Sequence, residues 1–230
     1  MLAAAAVSPF STSYKWRVQI SGENPEPSLF LTEKEQKVLH ALREVDVIGA
    51  NQLTRIFFSG DKKKAKKMVY KGILIQHSLW NESKEIPFYS LSPCLIRQTG
   101  GMEPMSLSVR EILSRLVFFQ LYGRVKELFP VTIHRSNRRP FLGILVREDG
   151  TRFHVGILRG NLHEWEYFLK WSVSDERIIL VVEQLPFLKP LESLLQGKMI
   201  RVTTDLDLKN TPIEQLFYKW DGDQWKREKA

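Results

Sequence analysis

The sequence predicts a mixed α+β protein in two parts, a small N-terminal domain and a larger C-terminal α/β domain with a mixed sheet. Its 230 residues are enough for two domains of ordinary size. A hydrophobic fraction of 43% and an aromatic fraction of 11% are typical of a packed globular chain. A stretch rich in glycine and proline, residues 94–107, lies between two regions with regular helix and strand patterns.

Four segments follow from this pattern. Residues 1–28 are an N-terminal arm, which includes a short strand at YKWRVQI and ends in the turn-rich GENPEPS. Residues 29–93 form the small domain, residues 94–107 a linker, and residues 108–230 the α/β domain. The start of the arm, MLAAAAVSPF, lacks the basic residues of a signal peptide, so we expect a frayed tail.

The small domain is predicted to contain three helices and a hairpin. Thr32 and Glu35 match a T-x-x-E capping box, which places a first helix from Thr32 to Val45. A turn at DVIG leads into ANQLTRIFF, which suits a shorter second helix. A third helix begins after the N-cap Asp61 and closes at Gly72. The segments ILIQHSLW and IPFYSLS then predict two strands joined by the polar turn NESK, and this order is that of a winged helix-turn-helix.

The third helix carries the most concentrated charge of the chain. At 100° per residue, Ala65, Met68 and Val69 fall in one sector and are predicted to face the core. Lysines four residues apart on the other side repel each other by a few tenths of a kcal/mol, which anionic phosphates would relieve. A solvated basic face is the alternative interpretation. The basic and outward positions are Lys62, Lys63, Lys64, Lys66, Lys67, Tyr70 and Lys71.

We expect this surface to bind double-stranded DNA, because the third helix of a winged helix-turn-helix is the recognition helix. Lysine suits phosphate better than base edges, so the contact should be salt-sensitive and poor in base reading. Sequence preference would come from the hairpin, from DNA shape or from a dimer. The other predicted contacts are Arg55 in the second helix and His77, Asn81, Ser83 and Lys84 in the hairpin. A second phosphate contact or a partner-docking site is predicted at Arg135, Arg138 and Arg139.

Composition favours an anionic partner. The net charge of +8 and the pI near 9.5 favour nucleic acid ahead of a membrane surface. A single cysteine, Cys94, excludes an internal disulfide and a cysteine-based zinc site, and the histidines lack metal-binding spacing. We therefore expect a reducing, cytoplasmic setting, with no metal and no cofactor. No run approaches eighteen apolar residues, so we expect no membrane span.

The C-terminal domain alternates helices and strands. A long amphipathic helix from Ser108 to Leu128 precedes three strands, VTIHR, FLGILVRE and TRFHVGIL. A helix from Leu162 to Val173 and the buried strand IILVVEQ follow. The last elements are a helix from Leu188 to Gln196, the strand MIRVTT and a helix from Thr211 to Trp220. The order α-βββ-α-β-α-β-α predicts a layered domain with a mixed sheet.

The small domain resembles the N-terminal winged helix of the replication-relaxation proteins, which bacterial plasmids and integrative elements encode. The resemblance lies in LTEKEQKVLHALREVDVIGANQLTRIFFSGDKKKAKKMVYKGIL, with its capped first helix, Q-L-x-x-[LI]-F-F pattern and basic third helix. It covers roughly a quarter of the chain. It implies a DNA-binding protein that acts in replication, transfer or transcriptional control. The matching residues are Gln52, Leu53, Ile56, Phe57, Phe58, Gly72, Ile73 and Leu74.

The same resemblance implies a restriction-endonuclease-like core in the second half, and the α-βββ-α-β order is compatible with one. Such nucleases hold a divalent metal with an acid on the second strand and an acid-x-Lys on the third, because Mg²⁺ prefers oxygen ligands. Here those acids are missing, and His154, Gly156 or Arg159 stands at the later positions. Glu148 and Asp149 lie in the hairpin turn, at the wrong end. We therefore predict the fold without catalytic residues.

Two alternatives stay open. One is a metal-dependent nuclease or nickase with a migrated active site, for which Glu183 or Asp205 would be essential. The other is a winged-helix adaptor that binds protein. Asp205 and Asp207 are expected to be solvated at a strand end, as are the acids of HEWE at a helix start. Apolar residues in LVFFQLYGRVKELF and FYKWDGDQW predict a homodimer or a partner-binding surface.

Overall fold

A computed structural model describes residues 7–22, 30–82, 84–172 and 176–228. These residues form a mixed α+β structure with two sheets, one antiparallel and one mixed. The chain divides into two compact units: Ser13–Phe119, called the N-terminal unit, and Met1–Thr12 with Gln120–Ala230, called the C-terminal unit. No helix of the described ranges is both long enough and apolar enough to cross a membrane.

The three predicted helices of the N-terminal unit are confirmed. They are α1 (Glu33–Val45), α2 (Ala50–Phe58) and α3 (Lys62–Tyr70). The capping box is present at the start of α1, where Thr32 N–H donates to Glu35 Oε2 over 2.8 Å. Asp61 caps α3 by accepting the backbone N–H of Lys63 over 2.9 Å. Gly72, with φ of +71°, follows α3 in the left-handed conformation that favours glycine.

The sheet of the N-terminal unit contains the predicted hairpin and two shorter strands. Its strands are β1 (Arg17–Gln19), β2 (Val47–Gly49), β3 (Leu74–Trp80) and β4 (Glu85–Leu91), in the order β1-β3-β4-β2. Along β3, Ile75 and Leu79 are buried while Gln76 is exposed, as the twofold period of a strand requires. DVIG was predicted as a turn and instead contributes β2, because its Val47 and Ile48 are fully buried.

The stretch predicted as a linker, residues 94–107, contains regular structure. It contains the helix α4 (Pro93–Thr99) and a 3-10 turn at Pro104–Ser106. The carboxylate of Asp46 fixes it by accepting from the backbone N–H of Met102 (2.9 Å), and the same carboxylate accepts from Arg115 Nε farther along the chain (3.0 Å). These bonds join residues more than fifty positions apart, so glycine and proline content could not reveal them. The buried side chains of the stretch are Leu95, Ile96, Pro104 and Leu107.

The C-terminal unit is built on a mixed sheet. Its strands pair in chain order, and the two parallel pairings, β7 with β8 and β8 with β9, lie in the middle of the described sheet. The flanking pairings are antiparallel. The strands are β5 (Val131–Arg135), β6 (Phe141–Arg147), β7 (Arg152–Leu158), β8 (Arg177–Val182), β9 (Ile200–Thr204), β10 (Tyr218–Trp220) and β11 (Trp225–Arg227).

The remaining helices agree in part with those predicted from the sequence. They are α5 (Val109–Leu128), α6 (Leu162–Trp171), α7 (Glu192–Leu195) after a 3-10 segment at Leu185–Leu191, and α8 (Asp205–Asn210). Val173, the predicted end of α6, lies outside the described residues. The predicted helix from Thr211 to Trp220 is wrong, because a 3-10 turn and β10 occupy this stretch. Tyr218 and Trp220, two residues apart, pack against the core of the unit, which suits a strand and not a helix.

The apolar segments predicted to make a dimer are largely buried within the chain. In α5, Phe118, Phe119 and Leu121 have no exposed surface. In FYKWDGDQW, Tyr218, Trp220 and Trp225 pack against the core cluster. The expectation that these segments expose surplus apolar surface is therefore wrong. The homodimer itself stays a prediction.

Candidate nucleic-acid interface

The third helix is amphipathic in the predicted sense. Ala65 and Met68 are buried, with relative exposures of 2% and 0%, and Val69 is half-buried. Tyr70 is 88% exposed. The exposed side of α3, called the lysine face, consists of Lys62, Lys63, Lys64, Lys66, Lys67 and Tyr70.

The lysine face is almost free of acidic partners. Lys64 Nζ lies 3.9 Å from Asp61 Oδ2, the carboxylate that caps the helix. Within the described ranges, the other four lysines of the face have no carboxylate within 4 Å. Several exposed cations on one side of a helix form a positive surface that attracts a polyanion.

Lys71 differs from the other predicted contacts on this helix. Its Nζ donates to both carboxylate oxygens of Glu35, over 2.8 and 2.9 Å, and to the carbonyl of Phe30 over 3.2 Å. Burial opposes ionisation of Glu35, but hydrogen bonds from Lys71 and Thr32 outweigh it and lower its pKa. Lys71 therefore ties α3 to α1, and its charge is already neutralised within the fold.

His77 was predicted as a DNA contact of the hairpin, and the structure corrects this. The ring is 2% exposed, and its Nδ1 accepts the backbone N–H of Ser21 over 3.1 Å. Its Nε2 lies 2.9 Å from Ser90 Oγ, which in turn donates to the carbonyl of Leu91. Burial lowers the pKa of His77 to about 4. The ring is therefore neutral and belongs to the core. A strand alternates between core-facing and solvent-facing side chains, and His77 is at a core-facing position.

The turn of the hairpin holds two of the other predicted contacts. Asn81 Oδ1 accepts the backbone N–H of Lys84 over 2.9 Å, and this bond shapes the turn. Lys84 Nζ lies 5.9 Å from the centroid of the Trp16 ring. Ser83 lies outside the described residues. Arg55 is exposed on α2.

A groove beside the hairpin contains basic residues that were not predicted as contacts. It has a volume of about 670 Å³ and is lined by Lys15, Arg17 and Trp80, among others. Arg17 and Trp80 are paired across β1 and β3. Trp80 is 42% exposed, and Lys15 and Arg17 are exposed. The sequence YKWRVQI could have predicted this basic surface, because a strand presents every second side chain, here Lys15 and Arg17, to the same face.

The arginines of the predicted second patch do not form one open surface. Arg138 Nη1 lies 2.6 Å from Glu176 Oε1, and Arg139 Nη1 lies 3.4 Å from Glu164 Oε1. Arg135 is half-buried at the end of β5. Two of these three charges already have acidic partners, so the patch is a weaker site for phosphate than the lysine face.

A second group of charges is buried in the C-terminal unit. Arg159, Glu183 and Asp205, called the charge triad, directly follow the last residues of β7, β8 and β9. Arg159 Nη2 donates to both carboxylate oxygens of Asp205, and Arg159 Nε lies 3.7 Å from Glu183 Oε1. Asp205 is 0% exposed and Asp207 8%, so the prediction that they are solvated is wrong. Both belong to α8, where Asp207 is held by Thr204 and Thr211.

This arrangement does not suit a divalent metal. The guanidinium of Arg159 occupies both oxygens of Asp205 and places a positive charge where a cation would bind. On β7, a Cβ atom at Gly156 would lie 1.9 Å from Trp165 Cζ2, so no acidic side chain fits there. Over the described ranges, no three or more His, Cys, Asp or Glu side chains are grouped to hold a metal.

Comparison with protein-family models, with curated proteins and with solved structures gives no match to this chain. The similarity to replication-relaxation proteins therefore stays a prediction, and so do the functions that it implies.

Proposed function

We propose that this chain is a non-enzymatic protein that binds double-stranded DNA through the N-terminal unit. The observation that carries the proposal is the lysine face, where four of the five lysines lie without a carboxylate within 4 Å in the described structure. A polyanion would relieve the repulsion between lysines four residues apart. The proposed setting, replication, transfer or transcriptional control of a bacterial mobile element, rests on the resemblance alone.

The proposed fold of the N-terminal unit is a winged helix-turn-helix. Its support is the order of α1, α2 and α3 followed by the β3–β4 hairpin, with β2 paired to β4. In this fold the helix that follows the turn approaches DNA. Ala65 and Met68 anchor α3 by their burial, so its opposite side is the one that can face the duplex.

The proposed mode of binding is contact with the phosphate backbone. Lysine offers a mobile point charge and lacks the planar geometry for bidentate base reading. Arg55 and Lys84 extend the basic surface beyond α3, and Lys15 and Arg17 add to it beside the hairpin. His77 and Lys71 are not part of the proposed contact set, because one is buried and the other is paired with Glu35.

The experiment is a salt titration of binding to a random-sequence duplex. In Lys63→Ala/Lys67→Ala, the slope of log K against log salt should become shallower by about 1.8, since each phosphate contact contributes about 0.9. The matched control is Lys37→Ala/Lys170→Ala, because those exposed lysines are paired with Glu33 and Glu166 over 2.6 Å. It removes the same net charge and should leave the slope unchanged.

Two outcomes would contradict the proposal. Equal slopes in the wild-type chain and in Lys63→Ala/Lys67→Ala would remove the lysine face from the interface. A chain that binds no duplex at low salt would favour the adaptor alternative, in which the winged helix binds protein.

For the C-terminal unit we propose a nuclease-like scaffold without nuclease chemistry, which serves a partner or a second copy of the chain. Its support is the α-βββ-α-β order together with Gly156 and the pairing of Asp205 with Arg159. Incubation of supercoiled plasmid with the protein and Mg²⁺ or Mn²⁺ should leave the plasmid intact. Nicking that disappears in Asp205→Asn would establish the migrated active site instead.

A further inference from the structure

The charge triad is covered by a segment from the other end of the sequence. This segment, Ser8–Thr12, lies within the predicted N-terminal arm of residues 1–28, and it alone is called the arm from here on. Ser8 Oγ donates to Asp205 Oδ2. Ser11 Oγ donates to Glu183 Oε2 over 2.7 Å, and Thr12 donates to Glu183 Oε1 from both its backbone N–H (2.9 Å) and its hydroxyl (2.8 Å). Every one of these groups on the arm is a donor, and every acceptor is a carboxylate oxygen of the triad.

The arm occupies a position that ligands commonly take in sheets of this kind. The triad residues follow the carboxyl ends of β7, β8 and β9, which are neighbouring parallel strands. Open α/β sheets bind ligands in the crevice outside the carboxyl ends of parallel strands, where the strand order reverses; β7, β8 and β9 share the position but follow one another in chain order. Here the crevice holds a stretch of the chain itself.

The arm also has hydrogen bonds within itself. Within it, Ser11 N–H donates to the carbonyl of Ser8 over 3.1 Å, and Phe10 N–H donates to Ser8 Oγ over 3.0 Å. The arm is not a strand of either sheet among the described residues. Phe10 is only half-buried, and the preceding Val7 is 46% exposed. The arm could therefore leave without breaking a strand ladder or emptying a large apolar pocket.

Burial and hydrogen bonding act in opposite directions on the two carboxylates. Burial raises the pKa of Asp205, against the opposing effect of Arg159. Burial also opposes ionisation of Glu183, but hydrogen bonds from Ser11 and Thr12 outweigh it and lower its pKa. Departure of the arm removes those hydrogen bonds.

We propose that this crevice is a peptide-binding site whose resident ligand is the arm, and that the arm exchanges with other peptides of the same chemistry. Such a peptide is short and free of acidic residues, and it carries hydroxyl and backbone N–H donors spaced as in Ser8, Ser11 and Thr12. Arg159 is a positioning residue that holds the carboxylate of Asp205. The proposal does not depend on DNA binding, since all of these residues belong to the C-terminal unit.

The first test is amide hydrogen exchange of the full chain, read at Thr12 and at Val181 in β8. The Thr12 amide should exchange faster than that of Val181, at a rate that low denaturant concentrations do not change, because only local opening is needed. In Ser8→Ala/Ser11→Ala the Thr12 amide should exchange about 10- to 100-fold faster, since hydrogen bonds to charged acceptors are lost. The control Ser114→Ala removes a hydroxyl that bonds only within α5 and should change nothing.

The second test uses a fluorescently labelled peptide with the sequence VSPFSTS, residues 7–13. The Ser8→Ala/Ser11→Ala chain should bind it more tightly than the wild-type chain, in which the tethered arm competes at high effective concentration. The ratio of the two peptide affinities should equal the factor by which the Thr12 amide exchanges faster in the variant. A peptide with alanine in place of the serines and the threonine should not bind. Two results would overturn the proposal: exchange of Thr12 only through global unfolding, or a labelled peptide that binds neither chain.

Discussion

The lysine face and the charge triad both concentrate charged side chains, but the charges are exposed in one and buried in the other. On α3 the cations are exposed and mostly unpaired, so their electrostatic energy is available to a ligand. In the triad one buried cation is paired with two buried carboxylates, so removal of the cation would destabilise the fold. Charge count alone does not distinguish these roles. Burial and the nearest opposite charge do.

The largest expected effect is in the triad. Arg159→Met should lower the free energy of unfolding by about 3–5 kcal/mol, because two buried carboxylates lose their cation. The control is Arg139→Met, which removes an arginine whose side chain is 90% exposed beside Glu164 and should cost less than about 1 kcal/mol. Urea denaturation measures both. Equal losses would show that the buried pair is no more important to folding than the exposed one.

A pH titration extends the comparison to a buried group that carries no charge. His77 has a pKa of about 4 in the fold and 6.5 without it, so the unfolded chain takes up the proton first as the pH falls. The free energy of unfolding should drop by about 3 kcal/mol between pH 6.5 and pH 4, at about 1.36 kcal/mol per unit. His77→Asn should remove the contribution of His77 to this dependence, whereas substitution of the exposed His163 controls for the loss of a histidine. An unchanged slope in His77→Asn would contradict the assignment.

A glycine substitution tests the packing that leaves no room for an acid on β7. Gly156→Ala should destabilise the fold by about 1–3 kcal/mol, because the new methyl group meets the Trp165 ring at 1.9 Å. Gly22→Ala is the matched control, since nothing lies within 4 Å of its Cβ, and it should stay within about 0.5 kcal/mol of wild type. Thermal denaturation is sufficient for this pair. A stable Gly156→Ala protein would mean that Trp165 moves easily.

The smallest expected effect separates two lysines of one helical segment. Lys71→Ala should cost about 1 kcal/mol of folding free energy, because Glu35 loses its hydrogen-bonded cation, and should leave DNA affinity nearly intact. Lys67→Ala should leave stability within about 0.5 kcal/mol and should weaken DNA binding. Denaturation and anisotropy measurements on the same samples compare them. A larger loss of DNA affinity in Lys71→Ala than in Lys67→Ala would mean that Lys71, and not Lys67, contacts DNA.

The sequence could predict the lysine face because its signal is local. The capping box at Thr32, the N-cap at Asp61 and the apolar positions Ala65 and Met68 all lie within a few residues of what they determine. A helix places residues three and four apart on one side, so a short window is enough. The burial of His77 was readable in principle from the alternation of β3.

The charge triad could not be predicted in this way. Arg159 and Asp205 are 46 residues apart, and Ser8 and Asp205 are 197 apart. Whether an acid after a strand is solvated or buried depends on which segment covers the sheet edge, and no local pattern encodes that. The structure of residues 94–107 was missed for the same reason, because Asp46 holds that stretch from a distant helix end.

The separation of the arm from its acceptors has a consequence for synthesis of the protein. Ser11 and Glu183 are 172 residues apart, and Ser8 and Asp205 are 197 apart, so the arm leaves the ribosome long before its partners exist. At about 5–20 residues per second, the delay is on the order of 10–40 s. Before that interval ends, the N-terminal unit is complete and can fold. The arm is therefore made well before its acceptors and can dock only after they have been made.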